Sequence, residues 1–241
     1  MTINTEIKFK PFGDKVLLIE FPKEINPDYL KVILNFKREI VSKFQVNIEI
    51  ISTYNALMID FKKTSKTLND LISELKNLYQ KSNLTKDLKT KTWEIPVCYE
   101  KDFALDLISL SKTLNLSPDE IIRIHSKTLY QIYFIGFLPG FLYLGGLDER
   151  LFCSRKSTPR LSLKKGSVGI GGQQTGIYPQ ESPGGWHIIG NSPINFFNPK
   201  KLKPSPFKAG DFIAFKPISL KEYQEITQSI KLKNHSINQI V

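Results

Sequence analysis

The chain is poor in the residues that build metal centres and disulfide frameworks: its 241 positions hold two cysteines and three histidines. Cys98, Cys153, His125, His187 and His235 lie far apart with no metal-ligand spacing between them, so no bound metal is expected. Two cysteines are too few to staple a fold, which points to free thiols and a cytoplasmic protein. Long hydrophobic runs are missing too. Stretches such as Val16–Ile19 and Ile132–Leu138 fall far short of the roughly 20 apolar residues that cross a bilayer, so no membrane contact is expected. The opening MTINTEIKFKPFGDK lacks the apolar stretch and cleavage site of a secretory signal, and none is expected. The phosphate loop G-x-x-x-x-G-K-[ST] and the nucleophile elbow G-x-S-x-G do not occur. Gly169-Ile170-Gly171-Gly172 is half of a dinucleotide fingerprint, but the spacing breaks and Ile177-Tyr178-Pro179 is no helix. A self-sufficient active site of these kinds is excluded.

What is present describes a soluble globular protein, with 41% hydrophobic and 24% charged residues and enough length for one large domain or two ordinary ones. The net charge of +11 comes mostly from lysines spread along the chain. They read as a solvated surface rather than a nucleic-acid-binding face. Their field still favours an anionic small molecule or an acidic partner. Arginine is scarce, yet Arg123, Arg150, Arg155 and Arg160 fall close together.

Residues 1–90 read as a small α/β domain of order β-β-α-β-β-α. Strand-like runs Glu6–Phe9 and Lys15–Phe21 flank a turn, and Val46–Ile51 and Ala56–Phe61 flank another. Asn26–Val41 and Thr67–Gln80 carry helical apolar spacing, so helices are expected on one face of an antiparallel sheet. The polar Ser82–Lys91 reads as a linker. Residues 91–241 then give a strand at Trp93–Tyr99, helices at Phe103–Leu114 and Ser117–Lys127, and a closing helix at Ser219–Ile230. Short strands and turns from Leu129 to Lys216 predict a barrel or sandwich, and an α+β fold class overall.

Function is placed between Gly136 and Gly190. There Gly136-Phe137-Leu138-Pro139-Gly140-Phe141, Gly169-Ile170-Gly171-Gly172 and Pro183-Gly184-Gly185-Trp186-His187 set permissive or rigid backbone beside aromatic and polar side chains. Arg155 and Arg160 bracket Lys156-Ser157-Thr158-Pro159. Two guanidinium forks on a proline-stiffened turn suit bidentate capture of a carboxylate or phosphate; the alternative is a pair of surface arginines bonded to loop carbonyls. Gln173 and Gln174 follow two glycines, where an amide can donate to and accept from a small polar substrate, while one of them braces the turn. His125 lies near a helix C-terminus, which favours an imidazolium, and reads either as a proton-transfer group or as a half-buried structural residue. Alternation puts Trp186 in the core and His187 at its rim.

The run His125, Tyr130, Gly136-Phe137-Leu138-Pro139-Gly140-Phe141, Tyr143-Leu144-Gly145, Pro159-Arg160, Gly166-Ser167-Val168-Gly169-Ile170, Gln173-Gln174-Thr175-Gly176-Ile177-Tyr178-Pro179, Ser182-Pro183-Gly184-Gly185-Trp186 and Ile189-Gly190 closely resembles the 5-oxoprolinase B-subunit family, also called KipI or allophanate hydrolase subunit 1-like. The likeness continues through Ala209-Gly210-Asp211 and, more weakly, over the N-terminal domain. It implies a small α/β domain followed by a cyclophilin-like β-barrel, in a three-subunit complex with A- and C-type partners that opens 5-oxoproline to glutamate with ATP. Two positions depart from the pattern: Glu100 stands where a glycine is common, and Asn191 where an arginine is common. An anion contact made by that arginine would pass to Arg155 or Arg160.

The resemblance implies difficult chemistry, because amide resonance makes a lactam carbonyl a poor electrophile and phosphorylation of its oxygen would activate it. Such chemistry needs cations for a transferring phosphoryl group and donors for a small carboxylate. The expected roles are anion binding for Arg155 and Arg160, amide orientation for Gln173 and proton transfer for His125. The rival implied by the KipI branch is a regulatory protein that grips a sensor histidine kinase through the same barrel face.

Overall fold

The computed structural model describes residues 7–232 and 237–240; Glu6, at the start of the first expected strand, and His235 lie outside the described residues. The chain divides into two compact units, Met1–Lys89 and Thr90–Val241. Among the described residues no helix is long and apolar enough to cross a membrane.

In the first unit a hairpin of β1 (Lys8–Pro11) and β2 (Val16–Glu20) leads into α1 (Pro27–Phe44). A second hairpin, β3 (Ile48–Ser52) and β4 (Ala56–Phe61), leads into α2 (Leu68–Lys81). The strands form one antiparallel sheet in the order β1-β2-β4-β3. Period-2 alternation selects its inner face. Leu17 and Ile19 of β2 and Leu57, Ile59 and Phe61 of β4 share a core with Ile33, Phe36 and Ile40 of α1 and Leu71 and Leu75 of α2. Asn26 caps α1 by accepting from the Asp28 amide at 2.8 Å. Thr67 and Asp70 form a reciprocal capping box at the start of α2. The stretch expected as a linker is in part fastened to α1. Leu84 is buried in the core, and the buried Asn35 amide donates to the Leu84 and Lys86 carbonyls at 2.9 and 2.8 Å. Polar composition misled here because the anchoring groups are backbone carbonyls.

The second unit is the expected barrel with helices beside it. Its elements are β5 (Thr92–Cys98), α3 (Leu107–Leu114), α4 (Pro118–Lys127), β6 (Leu129–Ile135), β7 (Leu142–Gly145), β8 (Arg160–Leu163), β9 (Ser167–Gly171), β10 (Gln174–Ile177), β11 (Ser182–Gly184), β12 (His187–Asn191), β13 (Phe212–Ile218) and α5 (Leu220–Lys231). Seven strands close in the order β10-β7-β6-β13-β5-β12-β9, while β8 and β11 pair separately as a ribbon. β5 and β13 run parallel. Ile95, Val97, Ile132, Leu144, Val168, Ile170 and Ile213 are among the residues that fill the interior. The buried Asp211 carboxylate, just before β13, accepts from the Lys91 amide and the Trp93 indole, both at 3.0 Å, and so ties the starts of the two parallel strands together.

One helix begins later than its periodicity suggests. The Phe103 and Ala104 amides turn back onto the Glu100 carbonyl, and α3 starts only at Leu107. Asp106 occupies the cap position, yet its side chain makes no capping bond. What that carboxylate does instead organises the site.

Candidate functional site: an aromatic pocket edged by a guanidinium

The glycines of the expected region let an indole lie flat on the barrel. A Cβ at Gly171 would sit 2.6 Å from the Trp186 ring, and one at Gly176 would sit 3.0 Å from it and 2.7 Å from the Leu142 carbonyl, so neither position tolerates a side chain. Phe141 meets Tyr178 edge-on with centroids 5.0 Å apart, and meets Trp186 edge-on at 5.7 Å. These perpendicular contacts are the favoured aromatic geometry. With Tyr143, Pro159 and the Gly184-Gly185 backbone the rings wall a pocket of about 230 Å3, with Phe137 at one side and Arg155 and Lys156 at another. The Arg155 guanidinium stands over the Trp186 ring, 5.7 Å from its centre, within cation–π range. Burial pushes the Tyr178 hydroxyl up to about 12, so it keeps its proton at neutral pH.

The loop carrying Arg155 is fastened on both sides of that residue. His187 Nε2 donates to the Ser154 carbonyl at 3.0 Å, and the Lys156 amide donates to the Gly185 carbonyl at 2.8 Å. Farther along, Arg160 forks onto both oxygens of Asp106 at 2.7 and 2.8 Å, and Lys156 Nζ reaches the same carboxylate at 2.9 Å. The Ile188 amide donates to it as well, at 2.7 Å. Asp106 is buried. Burial works to raise its pKa, but Arg160, the Ile188 amide and Lys156 together outweigh it, and the carboxyl lies below its ordinary value.

The bidentate carboxylate capture expected of the arginine pair is therefore real for Arg160, but the carboxylate is the protein's own. Arg160 is committed to Asp106 and is not free to bind a substrate anion. Arg155, by contrast, is exposed and has no carboxylate partner among the described residues.

The other expected residues are not brought to the pocket. Gln173 sits exposed in the turn between β9 and β10, and neither it nor Gln174 lines the cavity. His125 is fully buried. Its Nδ1 lies 2.9 Å from the Tyr99 hydroxyl and its Nε2 lies 2.9 Å from Thr175 Oγ1. Because Thr175 donates to the Gly169 carbonyl at 3.0 Å, it must accept from Nε2–H, and Nδ1 then accepts from Tyr99. The ring stacks on Phe215 at 4.6 Å, and burial pushes its pKa down to about 3. An imidazole so enclosed is neutral and does not line the aromatic pocket, so the structural alternative is the one the geometry fits. Trp186 is buried and His187 half-buried, as alternation required. Asn191, where an arginine was common in the resemblance, is buried; it donates to the Lys165 carbonyl and accepts from the Tyr223 hydroxyl. Asp106 was missed. The expected helix Phe103–Leu114 ran through Asp106, and nothing local marks an aspartate that turns inward.

Comparisons with known proteins agree with this architecture. The model of the carboxyltransferase domain, subdomain C and D, matches residues 7–207. The 5-oxoprolinase B subunit of Bacillus subtilis (strain 168) is 34% identical over 241 aligned residues, covering 92% of this chain and 97% of its own length. That of Haemophilus influenzae is 35% identical, covering 85% and 95%. The crystal structure of a conserved uncharacterized protein from Pyrococcus horikoshii, 40% identical, aligns with a TM-score of 0.54 over 90% of this chain and 100% of that one. The Kluyveromyces lactis urea amidolyase matches 99% of this chain with 16% of its own, at a TM-score of 0.83; at 18% identity that likeness is one of fold alone.

Proposed function

The chain belongs to the carboxyltransferase subdomain C and D family and, within it, to the 5-oxoprolinase B-subunit group, and on that premise we propose that it is one component of an ATP-dependent complex, inactive alone, that opens 5-oxo-L-proline to L-glutamate. The observation that carries the reading is the aromatic pocket with an uncommitted guanidinium at its edge. 5-Oxoproline is a small flat lactam bearing one carboxylate. Arg155 takes the carboxylate in a fork, the ring lies against Trp186 and Phe141, and the protonated Tyr178 hydroxyl supplies a donor for the lactam carbonyl. Arg160 acts one step removed, through Asp106, by holding the loop that presents Arg155. His125 braces the barrel wall, and Gln173 has no part in this pocket.

The pocket does not fit ATP. Its volume of about 230 Å3 is below the roughly 300–1,000 Å3 of sites for drug-sized ligands, and it has one free cation where a triphosphate needs several. A kinase-inhibitor role is not favoured, because the three curated relatives at 32–35% identity are 5-oxoprolinase B subunits by name.

The test is ATP-dependent release of glutamate from 5-oxoproline by the three subunits together, with and without this chain. Activity should require it, and Arg155→Ala should raise KM about tenfold to a hundredfold, as loss of a charged hydrogen bond does. Full activity without this chain, or an unchanged KM in the variant, would refute the assignment.

A further inference from the structure

A second and larger cavity of the barrel unit, about 860 Å3, shares no lining residue with the aromatic pocket. Trp93, Ile194, Ile230 and Ile237 give it apolar walls, and Lys200, Lys201 and Lys203 stand along it. The three lysines belong to one short loop whose base is pinned to the core. Phe196 and Phe207, before and after it, are buried and stack at 5.6 Å, and Phe207 meets Trp93 edge-on at 5.3 Å. The Asn198 amide donates to the Pro204 carbonyl at 2.8 Å and closes the loop on itself.

None of these three lysines has a carboxylate partner among the described residues. The two asparagines of the lining are turned the same way. Asn195 Oδ1 accepts from the Lys165 ammonium, and Asn198 Oδ1 accepts from the Lys200 backbone amide at 3.0 Å. Both oxygens are occupied, which leaves each amide its NH2 donors. The Trp93 indole is already given to Asp211, whose buried carboxylate also takes the Lys91 and Lys208 amides. The uncommitted side-chain groups of the lining are therefore donors, and three of them are cations. Acid lies in a smaller neighbouring cavity that shares Ile194 and Ile237 with this one and is lined by Glu94, Glu222 and Glu225. There Glu94 pairs with Lys216 at 3.2 Å, and Glu222 closes a capping box with Ser219.

We propose that the larger cavity binds a nucleoside di- or triphosphate, with its phosphates on Lys200, Lys201 and Lys203 and its base and sugar against the apolar walls. The volume falls within the roughly 300–1,000 Å3 of small-molecule sites. Three ammonium groups on one closed loop repel one another, and one multivalent anion neutralises them together. Lysine binds phosphate as a point charge and needs no glycine-rich cradle. A single carboxylate would leave two of the cations unmatched, and an inorganic polyphosphate would leave the apolar walls bare. The proposal goes beyond the 5-oxoproline reading and does not rest on it.

The experiment is isothermal titration of the full chain alone with ATP, ADP, AMP and inorganic tripolyphosphate, alongside its thermal unfolding. ATP and ADP should bind, and AMP should bind about tenfold more weakly or worse, having lost charged hydrogen bonds. Tripolyphosphate should also fall about tenfold below ATP, since it buries no apolar surface. Lys201→Gln and Lys203→Gln together should weaken ATP about tenfold to a hundredfold and leave the unfolding midpoint of the free chain unchanged, because both side chains are exposed. No ATP binding at millimolar concentration, or ATP binding that the double variant retains at full strength, would overturn the proposal. Tripolyphosphate that binds as tightly as ATP would reduce the cavity to a patch of charge and overturn it too. Glutamate release by the three subunits is a separate measurement, so the 5-oxoproline assignment stands or falls apart from these outcomes.

Discussion

The two units bury different kinds of group. Among the described residues Asn35 is the buried polar side chain of the first unit, whereas Asp106, His125, Ser167, Thr175, Ser182, Asn191, Ser192 and Asp211 are all buried in the barrel unit. The first unit is held by apolar burial, which is non-directional and roughly proportional to area. The barrel adds chains of directional bonds, such as Tyr99 to His125 to Thr175 to Gly169, and Arg160 to Asp106 to the Ile188 amide. Buried polar groups are costly unless every partner is present. Such networks fix geometry, and the pocket lies where geometry is fixed.

The largest expected effect falls on the first unit. Phe36→Ala should cost about 3–5 kcal/mol as a core truncation. Both tryptophans, Trp93 and Trp186, belong to the barrel unit, so circular dichroism should report early loss of helix while tryptophan emission holds. A single coincident transition would show that the units are not separately held. Asp106→Ala should do the reverse. It strands Arg160, Lys156 and the Ile188 amide, and because the two cations are partly exposed the cost should lie near the lower end of about 3–5 kcal/mol. Trp186 emission and 5-oxoproline binding should change with it. A loss below about 1 kcal/mol in urea titrations would mean that apolar packing alone holds the loop.

A smaller effect separates the units by pH. The folded pKa of His125, about 3, lies below its ordinary 6.5. Above pH 6.5 the ring is neutral folded or unfolded, and stability does not depend on it. Below that value the unfolded chain takes up a proton that the folded protein refuses, so stability falls steadily toward pH 3. Between pH 7 and pH 5 the loss should be about 2 kcal/mol, and His125→Gln should abolish that slope whatever its own stability. An unchanged slope would show that the ring is not sealed. The smallest effects should not distinguish the units at all. Thr67→Ala and Ser117→Ala each break a capping box and should each cost about 1 kcal/mol, since capping is local chemistry.

Local features were legible for the same reason. Asn26, Thr67 and Ser117 mark helix starts because their oxygens satisfy nearby amides, and the alternation in β2 and β4 names the inner face. The site was legible in part. Glycine density located the ground on which Trp186 lies, and Arg155 stood out as a scarce residue beside it. Arg160 and His125 were drawn into the same site because a free arginine and one tied to Asp106 look alike in sequence. The helix-end position of His125 suggested an imidazolium, yet burial among Phe215, Tyr99 and Tyr130 reverses that charge preference. Asn35 and Leu84 were unreadable because their partnership runs through a carbonyl.

By itself the sequence determined the elements, the α+β class, the family and the stretch that carries the pocket, since these depend on periodicity, caps and backbone freedom within a few residues. Which arginine is free, which histidine is neutral and which aspartate organises the loop were decided only by the tertiary structure. Charge state and availability depend on burial and on partners some fifty positions away, such as Asp106 to Lys156 or His125 to Thr175, and no local pattern encodes that distance.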